Sequence, residues 1–282
     1  MTTLYPRRLQ FLCIILLVLI SCFGSTSASA QGNLLVTPKR IVFEGSKRSD
    51  ELNLANIGND TATYAISFVQ IRMKHDGQFE NITEPDSGQN FADKNLRIFP
   101  RTVTLAPNEA QTVKVQLIKA NELAPGEYRS HLYFRALAND KPLGDPAIVT
   151  DSSVSVKLVP VFGISIPAII RVGTSTSEIK MSDISLSILE DTIPVVGFTF
   201  HRTGNMSVYG DIVVEHFSPY GKTTRIAEAK GVAVYTPTPS RIIKVRLNRF
   251  AGADLSSGKI RITYTEDGLK NKVLASEEID LR

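Results

Sequence analysis

Two distant segments of this 282-residue chain carry one pattern. "TVKVQLIKANELAPGEYRSHLYF", from Thr112, and "IIKVRLNRFAGADLSSGKIRITY", from Ile242, each read as an alternating run, a loop, Leu-x-x-Gly and a second run. Side chains on an extended backbone point to opposite faces in turn, so a run that alternates apolar and polar residues buries one face only. A unit of two such strands cannot close a core alone, and its recurrence predicts two similar modules in tandem. The rest of the chain agrees. Leu52 and Leu54 alternate before a turn at Gly58-Asn59-Asp60, and Tyr64, Ile66 and Phe68 alternate in the next run. Asp76-Gly77 marks a hairpin, because that pair tolerates positive φ. Tyr128, Ser130, Leu132, Phe134 and Ala136 take one face of their strand, and Arg129, His131, Tyr133 and Arg135 the other. His131 is expected to point out of its strand.

The expected fold is therefore all-β, with two tandem immunoglobulin-like β-sandwich domains. Leu123, Gly126 and Tyr128 look like the tyrosine corner of immunoglobulin-like domains, where a Tyr near the start of a strand bonds back to upstream backbone. In the second copy Ile260 stands in the Tyr position, so the corner is expected to be missing there. Strands of the second sandwich are expected at Ile184–Ile188, Val196–Phe200, Val208–Val214, Ile243–Leu247 and Ile260–Tyr264. The junction is expected between Ile166 and Gly173, and the division is drawn as residues 31–166 and 167–282.

Residues 1–30 stand apart as a signal peptide. Arg7 and Arg8 precede the apolar run Leu9–Ile20, and Ala28-Ser29-Ala30 supplies a small-x-small cleavage site. That run is short for a bilayer span, so export by a cleaved signal is expected, with a mature chain starting near Gln31. A competing reading is lipid attachment at Cys22, because Leu19-Ile20-Ser21-Cys22 resembles a lipobox. Both cysteines, Cys13 and Cys22, fall in this segment, which leaves the mature protein without thiol catalysis, zinc-thiolate sites or disulfides. The chain has 32 basic and 28 acidic residues, and without Arg7 and Arg8 the balance is 30 to 28. Such near neutrality argues against nucleic acid as a partner.

Chemistry-bearing constellations are scarce. His75, His131, His201 and His216 are the four histidines, and none has metal-ligand spacing. No Gly-x-Ser-x-Gly elbow or phosphate-cradling glycine loop occurs, and adjacent carboxylates such as Glu277-Glu278 diverge. No enzyme activity, cofactor, metal or small-molecule substrate is expected.

"TPKRIVFEGSKRSDELNLANIGND" (from Thr37), "RIFPRTVTLAPNEAQTVKVQL" (from Arg97) and "GEYRSHLYFRA" (from Gly126), followed by an alternating strand at the junction, resemble the PapD-like periplasmic chaperones of pilus assembly. The resemblance covers Leu34 to about Pro167 well, and the second module only in general form. Arg40, Val42, Phe43 and Gly45 match the family's Arg-x-Val-Phe-x-Gly motif in place. It implies two immunoglobulin-like sandwiches with an interdomain cleft, and a periplasmic chaperone, not an enzyme, that delivers pilus or related surface-fibre subunits, with an outer-membrane usher as a further partner. Such a chaperone lends an edge strand to an incomplete subunit sandwich, the strand addition known as donor-strand complementation. "SSVSVKLVPVF" supplies a candidate, with Val154, Val156 and Leu158 on one face; the other reading is an ordinary last strand of the first sandwich. Pro160 departs from the pattern, since it cannot donate a backbone bond. The resemblance also implies two basic residues holding the subunit's terminal carboxylate: Arg40 matches the first, and Lys157 is the candidate for the second. From another class, the rival is a secreted structural or adhesive protein of immunoglobulin-like modules.

Overall fold

The computed structural model describes residues 33–137, 161–190, 192–248, 251–268 and 272–281. The expected signal segment, both cysteines, Val154, Val156, Lys157, Leu158 and Pro160 lie outside the described residues. Residues 34–282 form one compact unit.

The first sandwich opens with β1 (Leu34–Thr37) and β2 (Ile41–Phe43), which belong to different sheets. β1 pairs antiparallel with β3 (Ser49–Asn56), whereas β2 pairs parallel with β10 (Gly163–Val172). Arg40 therefore sits where the chain crosses from one sheet to the other. The first sheet runs β1-β3-β8-β6, with β8 at Ala110–Leu117 and β6 at Leu96–Phe99. In the second, β2, β10, β9 (Gly126–Leu137) and β4 (Ala62–Met73) follow in order. β5 (Phe79–Ile82) and β7 (Thr102–Leu105) both pair with β4. Leu52, Leu54, Val113 and Val115 of one sheet pack with Ile66, Leu132 and Phe134 of the other in a single core, joined by Ile41, Phe43, Ile166, Ala168 and Ile170. The hairpin at Asp76-Gly77 forms: Gly77 has φ +82°, and the Gln78 N–H donates to Asp76 Oδ1 at 2.9 Å.

The second sandwich joins a sheet β11-β12-β15 (Glu178–Leu189, Ile193–Thr203, Ser240–Arg246) to a sheet β14-β13-β16-β17 (Thr223–Val234, Val208–Phe217, Gly258–Glu266, Val273–Leu281). Phe198, Phe200 and Tyr264 stack through its core, with ring centroids 5.1 and 4.7 Å apart along the chain of contacts.

The repeated unit is structural. Its copies are β8–β9 in the first sandwich and β15–β16 in the second, each joining one sheet to the other. In the first copy the corner is made as expected, with the Tyr128 hydroxyl donating to the Ala124 carbonyl at 3.2 Å. In the second, Ile260 is wholly buried, and His216 Nε2 donates to the Ser257 carbonyl at 2.8 Å. A histidine from the neighbouring strand thus ties down the loop that a tyrosine holds in the first copy.

Three features go beyond what was read from the sequence. β10 runs through Val172 in the sheet of the first sandwich, so residues 167–172 pair with β9 along the expected junction. β14 and β17 had no sequence-based counterpart: "TTRIAEAKGVAV" and "VLASEEID" lack strict alternation because both lie at sheet edges and are widely exposed. Finally, the polar face of β9 is not solvated along its whole length. Arg129 is 6% exposed and His131 4%, because the second sandwich covers them.

Candidate functional site

β9 carries Glu127 and Arg129 on the face turned toward the second sandwich, and β10 brings Arg171 beside them. Arg129 Nε and Nη2 donate to Glu127 Oε1 at 3.2 and 2.7 Å. Arg171 Nε donates to Glu127 Oε2 at 3.3 Å. From the second sandwich, the Ser207 N–H and hydroxyl donate to the same oxygen at 3.0 and 2.6 Å. Arg171 Nη2 donates in turn to the Ser207 carbonyl at 3.0 Å. The carboxylate is fully buried and saturated with donors from both sandwiches. Burial by itself raises its pKa, but the fields of Arg129 and Arg171 and the Ser207 bond outweigh that and hold it below the ordinary range.

An aromatic layer continues the interface. The Arg129 guanidinium lies 3.7 Å from the centre of the Tyr235 ring, and Tyr235 stacks with Phe79 and His131 at 5.6 and 6.0 Å. Thr238 and Ile242 fasten the β4–β5 hairpin from the other side: the Thr238 hydroxyl donates to the Met73 carbonyl at 2.8 Å, and the Ile242 N–H to the His75 carbonyl at 2.8 Å. Desolvation, aided by the positive charge of Arg129, lowers the His131 pKa to about 3. The unfolded ring protonates near pH 6.5 and the folded one only near 3, so stability declines as pH falls across that window, by about 1.4 kcal/mol per unit. The expected result is that His131 ring resonances stay fixed from about pH 8 down to about pH 4.5. A titration with a midpoint near 6.5 would mean that water reaches the ring.

Arg40 enters a cleft of about 440 Å³ whose lining includes Val42, Arg171, Ser207, Tyr209, Glu266 and Lys272. Its guanidinium lies 3.8 Å from the centre of the Tyr209 ring, which β13 supplies. Lys272 faces Glu266 at 2.8 Å and Arg171 is engaged by Glu127. Arg40, by contrast, makes no ion pair with any described residue. It is half-buried and cationic, and an aromatic face supports it.

Next to it, β10 has an edge that is open among the described residues. β2 pairs only with Ala168–Ile170, and among the described residues no strand pairs with that edge over Gly163–Pro167. The Ala136 N–H bonds to the Phe162 carbonyl, which places odd-numbered residues of β10 with their backbone groups turned away from β9. Gly163 and Ser165 are exposed there, and Pro167 lacks an N–H. Tyr133 lies across Gly163, where an added Cβ would meet its ring at 2.3 Å.

The structure thus places Arg40 in the expected cleft, while Lys157 and the segment from Val154 to Leu158 lie outside the described residues. Arg171, Tyr209 and Lys272 escaped sequence reading. For Arg171 a signal existed, a basic residue closing the apolar run of "ISIPAIIRVG"; for Tyr209 there was none. No group of His, Asp or Glu among the described residues could hold a metal ion.

No family model matches the sequence, and no curated protein does. Solved structures similar to the chain include one described as a chaperone–tip adhesin complex of CFA/I fimbriae biogenesis, at 11% identity and a TM-score of 0.45, covering 89% of this chain and 99% of that one. The YadV chaperone is similar at 11% identity and 0.43, covering 89% and 100%. The CupB2 chaperone of Pseudomonas aeruginosa is similar at 12% identity and 0.41, covering 88% and 100%.

Proposed function

We propose that this protein is an exported, periplasmic chaperone that binds pilus or related surface-fibre subunits and delivers them to an outer-membrane usher. The observation that carries the reading is Arg40: a guanidinium without an ion-pair partner among the described residues, in the cleft between two sandwiches, beside a strand edge that no described strand covers over Gly163–Pro167. A terminal carboxylate of an incoming subunit fits the charge and the donor geometry, and the edge of β10 offers backbone groups along which the same segment can pair. Arg171 and Lys272 are described cations that share the cleft with Arg40, each engaged by a carboxylate, and Lys157 is the sequence-based candidate for a further one. Val154, Val156 and Leu158 precede the open edge in the chain and are the proposed donor side chains, which fill a partner's groove at alternate positions.

Affinity purification of the protein from the periplasm of its host should recover a small β-rich subunit in equimolar amount. Val156→Asp should lose that subunit while circular dichroism and thermal unfolding stay unchanged, since a charge in the partner's apolar groove is left unpaired. Recovery of a monomer under every condition that produces surface fibres, or equal loss of folding in Val156→Asp, would sink the reading.

A further inference from the structure

We infer that Tyr209 is a positioning residue for the anion site: a ring from the second sandwich that holds the Arg40 guanidinium in place for its ligand. This rests on the proposed reading of Arg40 as a carboxylate anchor. Arginine has four rotatable side-chain bonds, and a free guanidinium in a cleft spends most of its time in water-directed rotamers. Here its outermost carbon lies 3.8 Å above the Tyr209 ring centre. Stacking uses the faces of the guanidinium and leaves its in-plane N–H donors pointing at the cleft, which is the orientation a carboxylate requires.

The ring is itself fixed from three sides. Tyr209 follows Ser207 and Val208, so the Glu127 network anchors the start of its strand. Its backbone carbonyl accepts from the Asp267 N–H at 3.3 Å. Gly231, in the left-handed region at φ +68°, lies under the phenol, where an added Cβ would stand 2.7 Å from the hydroxyl oxygen. No described residue hydrogen-bonds the Tyr209 hydroxyl, so the aromatic face is the part that acts. Arg40 comes from one sandwich and its platform from the other, and the site is assembled only when the two are docked. Ligand binding and the packing of the two sandwiches are thereby coupled.

The test uses the mature full chain and a hexapeptide of alternating valine and threonine, as free acid and as amide. Wild type should prefer the free acid, and Arg40→Ala should abolish the preference. Tyr209→Phe should stay within about twofold of wild type, and Tyr209→Leu should weaken the free acid about five- to tenfold with the amide unaffected. In the unmutated protein the Arg40 Nε–H resonance should lie upfield and show nuclear Overhauser contacts to the Tyr209 ring, a readout that a merely structural role would not move. If Arg40→Ala keeps the preference, or wild type shows none, the anchor reading fails. If Arg40→Ala loses it while Tyr209→Leu matches wild type, or loses both peptides equally, the positioning role alone is wrong. Absence of the Overhauser contacts would also overturn it, even if Tyr209→Leu did not fold.

Discussion

Glu127→Ala is expected to lower the unfolding free energy by about 3–5 kcal/mol, the characteristic cost of removing one partner from a buried ion network. The alanine leaves two guanidiniums, Arg129 at 5% side-chain exposure and Arg171 at 15%, facing each other across the vacated space. It also removes the acceptor for both the Ser207 N–H and its hydroxyl. Unfilled donors in a dry interface cost more than the net worth of the bonds they made. Urea denaturation measures the effect, and a change below about 1 kcal/mol would show that water enters the interface and replaces the carboxylate.

The same residue sets an acid limit. As pH falls, the unfolded carboxyl takes up its proton near pH 4.3, while the folded one resists because its pKa is lowered. Between those values the unfolded state binds more protons, so stability rises with pH there. The contribution is complete above the unfolded pKa and is lost as pH falls through the folded one. Glu127→Gln should remove this slope and leave the decline due to His131, which begins at higher pH.

Period-two alternation made the strands of the inner sheets legible, because residues such as Leu52, Leu54, Val113 and Val115 have one partner layer and face it at every second position. Tyr128 and Asp76-Gly77 were readable because each acts on backbone within a few residues of itself. Glu127, Arg129 and His131 were not. Their polarity marks them as turned out of their own sandwich, which they are, but alternation carries no information about what lies beyond a face. The covering residues, Ser207, Tyr209 and Tyr235, come from another module far along the chain. The course of β10 was obscured for a related reason. "ISIPAIIRV" is punctuated by Pro167, yet in β10 that proline meets the outer edge of the strand, where its missing N–H breaks no pairing with β9. Arg40 was legible as a basic residue at the root of a strand, and its role depends on the charge balance around it, which only folding assembles.

Arg40→Ala is expected to reduce subunit affinity by roughly a hundredfold or more while costing the fold no more than one aromatic stack, the second large effect. A desolvated, hydrogen-bonded charge pair across an interface costs about 2–5 kcal/mol or more to truncate, because the stranded partner stays buried. In the free protein nothing is stranded: Arg40 neutralises no described carboxylate, and its loss removes only the stack on Tyr209, about 0.5–2 kcal/mol. Binding and stability should therefore separate at this residue, whereas at Glu127 stability itself collapses. Arg40→Lys should recover binding only in part, since an ammonium keeps the charge but cannot present two coplanar donors to one carboxylate or stack flat on the ring. Calorimetric titration with the subunit recovered from the periplasm gives the affinities. Normal binding by Arg40→Ala would remove the anchor and leave the open edge of β10 to account for capture, and full rescue by lysine would show that charge alone, without the planar geometry, holds the carboxylate.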